Sequence, residues 1–308
     1  MKKSSFKNNP IKPKILVILG PTATGKSDLA VKLAKKYNGE IISADSRQVY
    51  KGLDIGTGKI TKKEMLGIPH YMLNVISPKK VFSVSDFQKL ANAKIEEIIS
   101  KGKLPIIVGG TGFYIQSIVD GIVLPEVPPN KKLRKELEKK NIDELVLMLE
   151  KIDKERLKNI DKNNPVRLIR AIEIAEKLGS VPKIKTQKSN YDFIQIGLNL
   201  PEGEIKEKIH KRLLARIKKG MMKEAEKIHK NGLSWKRMRE LGLEYRYLAD
   251  FLEKIIDQKE LINKLDSEIY HYSKRQMTWF KKDKKIKWFN PKNLLNIEKF
   301  VNNSLINN

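Results

Sequence analysis

The chain has 308 residues, no cysteine, and a formal charge of +27 from 63 Lys/Arg against 36 Asp/Glu. That length allows one large domain or a domain carrying an insertion, and the missing thiols exclude disulfides and thiolate metal sites. The positive excess is mostly lysine, spread along a chain also rich in Ile and Asn, so it admits a nucleic-acid partner without requiring one.

Residues 1–13 are polar and Lys-rich with two prolines, and read as a disordered arm. The basic start leads only to the five apolar residues Ile15–Leu19, too short for a signal segment or a membrane span, so a cytoplasmic protein with no membrane contact is expected. Those five residues, rich in β-branched side chains, predict a strand buried on both faces. Gly20-Pro21-Thr22-Ala23-Thr24-Gly25-Lys26-Ser27 follows and fits G-x-x-x-x-G-K-[ST] at every fixed position. Leu29, Leu33 and Tyr37, with Ala30 and Ala34, then give a helix one buried stripe. Strand, glycine loop and helix form the context a phosphate-binding loop needs, because glycines let backbone N–H groups turn inward at the positive end of the helix. Lys26 adds a mobile charge there, and the Ser27 hydroxyl completes a Mg²⁺ site. A chance match in a loop is the alternative. The loop specifies a phosphate chain, not which one.

Gly39 to Asp45 predicts a turn and a second short strand. Sites in open parallel sheets form at the carboxyl ends of strands, which puts Asp45 beside the phosphate loop as an N-cap, a Mg²⁺-linked carboxylate or a general base. Lys51–Lys59, with Gly52, Gly56 and Gly58, is a loop with little room for side chains. Tyr71–Ile76 is a candidate third strand. Ser85 is expected to cap a helix to about Ser100 that buries Phe87, Leu90, Ile95, Ile98 and Ile99. Leu104–Val108 is another buried strand, running into Gly109-Gly110-Thr111-Gly112. That turn either brings backbone close to a ligand, with Thr111 as its hydroxyl, or is a plain tight turn. No acidic pair ends this strand, as many P-loop ATPases require.

Between Pro125 and Pro182 the strands stop. Helices are expected at Lys131–Lys139, Asp143–Lys151 and Pro165–Leu178, the last with Asn164 as cap and Pro165 at its first position. Val166, Ile169, Ile172 and Ala175 are expected to face a core, with Arg167 and Arg170 on an adjoining, by default solvated, face. Phe193–Leu198 returns to strand character. Pro201–Lys219 is a helix burying Ile205, Ile209 and Leu213, and Arg212 and Arg216 sit four apart on it, repelling each other unless an anion lies between them. A long helix from about Glu260 to Lys282 carries Lys274-Arg275-Gln276-Met277-Thr278-Trp279-Phe280-Lys281. This run either suits RNA phosphates and stacked bases or is an amphipathic helix whose Trp is core. His70, His210, His229 and His271 have no ligand spacing. The fold class expected is α/β, a P-loop NTPase-like open and mainly parallel sheet flanked by helices: a core of 14–124 and 186–308 and a helical insertion over 125–185.

GPTATGKS at 20–27, ADSRQVYKGLDIGTGK at 44–59, VGGTGFY at 108–114, NPVRLIRAIEI at 164–174, the Arg212/Arg216 helix and KRQMTWF at 274–280 together resemble the tRNA dimethylallyltransferase (tRNA isopentenyltransferase) family in its shorter bacterial form, over nearly the whole chain. The resemblance implies transfer of a dimethylallyl group from dimethylallyl diphosphate to N6 of the adenosine 3′ to the anticodon in tRNA, with Mg²⁺ and release of pyrophosphate; a monomer is expected, though no residue speaks to oligomeric state. Carried over, Asp45 corresponds to the base, with Lys26 and Arg216 also in the catalytic set. Residues Gly20 to Ser27, Arg212 and Arg216 correspond to the diphosphate cradle, and Ser27 to the metal ligand. Asp45, Ser46, Arg47, Gln48, Thr111, Val166, Arg167, Leu168, Ile169 and Arg170, with Lys274 to Lys281, correspond to contacts with the tRNA anticodon stem-loop. The chain departs from the family at Arg239–Arg246, where Gly242 is followed by Leu243 and Glu244 instead of Tyr and a basic or amide residue. The rival readings are an adenylate isopentenyltransferase acting on free nucleotide, a P-loop small-molecule kinase, and a non-catalytic P-loop RNA-binding protein.

Overall fold

The apolar run before the phosphate loop is buried because its strand, β1 (Lys14–Leu19), has a parallel neighbour on each side. The computed structural model describes residues 12–306. The chain forms two compact units, one running to Asp120 and resuming at Lys188, the other spanning Gly121–Gln187. The first unit starts with β1, α1 (Lys26–Lys36), β2 (Gly39–Ala44), β3 (His70–Tyr71), α2 (Val84–Ser100), β4 (Leu104–Gly109) and α3 (Gly112–Val119). The second holds β5 (Ile122–Val123), α4 (Lys131–Leu137), α5 (Ile142–Ile152), α6 (Lys154–Lys158), α7 (Pro165–Leu178) and β6 (Lys185–Thr186). The first unit then resumes with β7 (Asp192–Leu198), α8 (Glu202–Lys218), α9 (Met221–Lys230), α10 (Trp235–Glu240), α11 (Leu243–Leu252), α12 (Gln258–Phe280), β8 (Lys287–Phe289) and α13 (Leu294–Ile306).

The main sheet has the order β3-β2-β4-β1-β7-β8, and each of its pairings is parallel. Alternating side chains serve two cores. Leu16 and Ile18 pack with Leu29, Leu33, Ile297 and Val301 from α1 and α13, whereas Ile15, Val17 and Leu19 pack with Phe87, Ile95 and Ile115 from α2 and α3. From β1 the chain leaves towards β2 and β3, and from β4 it crosses to β7 and β8, so the strand order reverses at β1 and β4. A crevice at the carboxyl ends follows from that reversal. A third core, built by α8 to α12, includes Ala23, Val49, Tyr50 and Leu53 from the loops after β1 and β2. The C-terminal helices therefore roof the strand ends.

Several expectations need correction. Tyr71–Ile76 is not one strand: β3 ends at Tyr71, because Met72 (φ 64) and Asn74 (φ 55) take left-handed backbone, and only an isolated bridge joins Tyr50 to Ile76. The cap of α2 is Ser83, not Ser85, in a reciprocal capping box with Asp86. That register buries Phe87, Ala91, Ile95 and Ile98 and leaves Leu90 exposed. The arm expected over 1–13 lies outside the described residues except for Lys12 and Pro13, which run against the start of β7: Lys12 Nζ donates to Ser189 O and Asp192 N donates to Pro13 O. Short elements from α9 to α11, α6, α13, β8 and the β5–β6 pair carry no local signal registered as an element in the sequence analysis above.

The second unit is slightly wider than 125–185, since the antiparallel pair β5–β6 closes its base. Its core is Leu137, Leu145, Leu149, Leu157, Leu168, Ile169, Ala171 and Ile172. Asn164 caps α7, its side chain accepting the Arg167 N–H, with Pro165 behind it. Val166 does not face this core; it is 75% exposed, projecting from the first turn. Buried Glu173 accepts hydrogen bonds from Asn130 N (2.5 Å), from Arg134 Nε (2.9 Å) and Nη2 (2.7 Å), and from Arg170 Nη1. Burial alone would raise the pKa of Glu173, but these donors outweigh it and lower it. A carboxyl with a lowered folded-state pKa contributes stability above its unfolded pKa and loses it as pH falls through the folded value. Glu173→Ala is expected to cost this unit about 2–3 kcal/mol at neutral pH, discounted for the part-exposed arginines. Urea midpoints of mutant and wild type should converge in acid, and equal midpoints at pH 7 would show the network to be idle.

Candidate active site

Gly20 (φ 139), Ala23 (φ 65) and Gly25 (φ 84) give the phosphate loop its alternating backbone, and Gly25 passes the chain into α1. At Gly20 a Cβ would run into the Leu198 carbonyl, so glycine is required by the close approach of β7. Thr24 Oγ1 donates to Pro21 O (2.9 Å), bracing the loop from inside. Lys26 folds back to donate to the same carbonyl (2.6 Å). Burial lowers the Lys26 pKa to about 7, assisted by Arg212 and opposed by Asp45. Ser27 is exposed on the first turn of α1.

Three strand-end loops meet here. After β2, Asp45 Oδ1 accepts the N–H groups of Arg47 (2.8 Å) and Gln48 (3.3 Å), which fixes the carboxylate. After β4, Thr111 Oγ1 accepts the Ser46 N–H (3.0 Å) and also hydrogen-bonds Tyr272. Burial, with Asp45 nearby, pushes the Tyr272 pKa up to about 12. Gln276 on α12 ties the other two loops: its Oε1 accepts Thr22 N–H (2.9 Å) and its Nε2 donates to Gly110 O (2.8 Å). A Cβ at Gly110 would strike that amide, and one at Gly112 would strike the Trp279 ring. The glycines of this turn thus admit α12: the close approach here is that of a helix, not of a ligand.

Arg212 and Arg216 reach the same place from α8. Burial lowers the pKa of Arg212, with Arg216 the next cause. Arg216 Nη1 donates to Gly56 O (2.6 Å) and Glu244 Oε1 (2.8 Å), and both partners of this ion pair are 13% exposed. A protein carboxylate, Glu244, therefore supplies part of the counter-charge the two arginines require. The 54–56 loop that supplies Gly56 O is itself pinned: Glu224 on α9 accepts three successive N–H groups, from Asp54, Ile55 and Gly56, and the Tyr245 hydroxyl. A cavity of about 330 Å³ results, with Asp45, Arg47, Arg212, Arg216, Glu244 and Arg275 as its charged wall, and Ala23, Ile209, Leu243 and Ile269 as its apolar one.

Some expected contacts are placed elsewhere. Gln276 and Phe280 are buried, the first holding loops and the second in the α2–α3 core, so neither side chain is open to a polynucleotide. Lys274, Arg275, Thr278, Trp279 and Lys281 are exposed and Met277 half-buried. Gln48 is half-buried, its Nε2 donating to Thr57 O and its Oε1 accepting from Ser43. In the second unit Leu168 and Ile169 are core, and Arg170 is committed to Glu173 and to Val127 O (2.9 Å). Only Val166 and Arg167 of that run are open. The Gln276 role had a legible signal: Leu261, Leu265, Ile269, Ser273, Gln276 and Phe280 form the buried stripe of α12, and a polar residue on such a stripe asks for a partner. Glu244 and Glu224 had none, since both act on residues far away in sequence.

A parallel sheet with a glycine loop on its central strand and cations gathered at the carboxyl ends defines an α/β protein of the P-loop type. A family model described as IPP transferase matches residues 48–283. The chain is 39% identical over 297 residues to a tRNA dimethylallyltransferase of Anoxybacillus flavithermus, covering 95% of each. It is 42% identical over 275 residues to tRNA dimethylallyltransferase 2 of Treponema denticola, covering 88% of this chain and 92% of that one. Among solved structures it resembles the full-length tRNA isopentenylpyrophosphate transferase of Bacillus halodurans (TM-score 0.73, 36% identity, 96% and 97% of the chains). It also resembles a eukaryotic dimethylallyltransferase acting on tRNA (TM-score 0.74, 25% identity, 96% and 78%). The chain belongs to the IPP transferase family.

Anion binding at the loop must recharge Lys26 above its free pKa of about 7. Binding of inorganic pyrophosphate at pH 8 should therefore take up close to one more proton in the wild type than in Lys26→Met, measured calorimetrically in buffers of different ionisation enthalpy. The affinity advantage of the wild type over Lys26→Met should be level below pH 7 and shrink about tenfold per unit above it. Equal proton uptake in the two proteins would remove Lys26 from the cradle.

Proposed function

We propose that this protein transfers the dimethylallyl group of dimethylallyl diphosphate to N6 of the adenosine 3′-adjacent to the anticodon in tRNA and releases pyrophosphate. One observation carries the reading: a single cavity joins a cationic side, an apolar side and a fixed carboxylate. The phosphate loop N–H groups, Lys26, Arg212 and Arg216 suit the diphosphate. Ala23, Ile209, Leu243 and Ile269 suit the five-carbon chain. The names of the relatives supply tRNA as acceptor, and the N6 position is the finer part of the proposal.

An adenine amine conjugated to its ring is a poor nucleophile, so its partner must be activated and its proton removed. In the proposed step the C–O bond to the diphosphate breaks, the C–N6 bond forms, and the N6 proton passes to Asp45. Negative charge grows on the departing pyrophosphate, and in this reading the loop N–H groups, Arg212 and Arg216 stabilise it without reorganisation at the moment of reaction. The two N–H groups on Asp45 Oδ1 hold the carboxylate in place for the proton. Ser27, exposed beside Lys26, fits a Mg²⁺ ion held chiefly by phosphate oxygens and water. When bound, the ion would add charge neutralisation to the leaving group.

The acceptor adenosine must leave its stack to reach such a cavity. Lys274, Arg275, Thr278, Trp279 and Lys281 offer cations and a ring on the outer side of α12, a surface that a free nucleotide would leave unused. On the second unit, Val166 and Arg167 offer a further RNA contact; the Arg167 side chain is 60% exposed, with only a loose pairing to Asp161 at 3.7 Å.

Incubation with dimethylallyl diphosphate, Mg²⁺ and either unmodified tRNA or AMP, followed by nucleoside mass analysis, tests the reading; product on AMP alone would overturn it. Asp45→Asn should retain tRNA binding and lose turnover by about 10²–10⁴-fold. Near-normal turnover at saturating substrates would exclude Asp45 as base. Arg167→Ala should weaken tRNA binding and reduce the log–log salt slope by about one unit, with pyrophosphate affinity unchanged. An unaltered slope would make Arg167 a solvated side chain.

A further inference from the structure

We infer that Glu244 is a positioning residue for the diphosphate: it fixes the Arg216 guanidinium by one edge so that the other edge stays turned to the ligand. The inference rests on reading the cavity as a diphosphate site. A guanidinium has five N–H donors in a rigid plane. In Arg216 both acceptors, Gly56 O and Glu244 Oε1, fall on Nη1. Nε is buried with no hydrogen-bond partner among the described residues. An orphaned buried donor is costly, and here it belongs to a side chain lining the cavity. In the inferred arrangement a phosphate oxygen reaching the Nε edge from the cavity satisfies it and leaves both Nη1 bonds intact.

The fixing is needed because Arg212, four residues earlier on α8, repels Arg216. Glu244 offsets that repulsion by its ion pair with Arg216, and it also favours the charged form of Arg212. Its placement is a built feature. Gly242 (φ 73) and Leu243 (φ 35) both take positive φ at the start of α11, a backbone that an L side chain such as leucine adopts only under strain. The kink turns Leu243 and Glu244 together into the cavity wall, one to its apolar part and one to Arg216.

The test uses the full chain, with inorganic pyrophosphate as probe and donor kinetics alongside. Glu244→Ala should raise the pyrophosphate Kd and the donor KM by roughly tenfold, as expected for loss of a charge-assisted bond that orders the arginine. Glu244→Gln keeps an acceptor oxygen and should fall between, at about threefold; it also stands in if the alanine variant folds poorly. In an Arg216→Ala background, Glu244→Ala should add nothing, and tRNA affinity should not move in any variant. Pyrophosphate affinity in Glu244→Ala equal to or tighter than wild type overturns the inference and makes Glu244 a competitor for Arg216. So do penalties that multiply in the double variant. A wild type that binds no pyrophosphate overturns the reading of the cavity as well, so the two failures are distinguishable.

Discussion

The side-chain amide of the buried Gln276 donates one hydrogen bond to the loop after β4 and accepts another from the loop after β1, at 2.8 and 2.9 Å. Each of those loops ends a different strand, and nothing in the sheet ladder itself sets their separation beyond the last paired residues, Leu19 and Gly109. Leaving either backbone group unpaired in this setting would cost about 1–3 kcal/mol. With both paired, the phosphate loop and the Gly110–Gly112 turn move as one body with α12. Thr111 and Tyr272 extend the same frame to the loop after β2, where Asp45 sits. Three loops from three strands thus share one helix.

That arrangement explains why α12 has two different faces at one level. Inward it carries Gln276 and Phe280, and outward Lys274 and Thr278, with Arg275 on the cavity wall and the part-exposed Trp279 edging against Gly112. In the proposed reaction the inward face organises the donor loops and the outward face meets the polynucleotide. The glycines opposite, Gly110 and Gly112, are small because the helix lies against them. The cations depend on the frame too. Lys26 and Arg212 both have lowered pKa values, burial being the main cause. Cations crowded in this way are unfavourable until an anion arrives, which is the condition of a site built for its ligand and not for the free protein.

The insertion obeys simpler rules. Glu173 gathers two arginines and an N–H inside a small helical core, so one of the arginines that sequence alone would offer to RNA is structural. Arg167, one turn earlier and on the rim, is not. The difference between two arginines three residues apart is a matter of which way α7 faces its own core.

Local signals were enough for the phosphate loop, the strands β1, β4 and β7, and the helices α7 and α8, whose caps and buried stripes are written in neighbouring residues: Asn164 with Pro165, or Ile205, Ile209 and Leu213. The motif order also sufficed to name the family. What tertiary structure decided involves partners far apart in the chain. Strand order, the three short helices over the strand ends, and the early end of β3 depend on contacts or on single backbone torsions that periodicity does not register. Glu244 meets Arg216 across 28 residues, Glu224 meets Gly56 across 168, and Gln276 meets Thr22 across 254. A carboxylate or an amide in a helix carries no local mark of which distant group it will satisfy; only the folded chain, by burying both, makes the pairing obligatory.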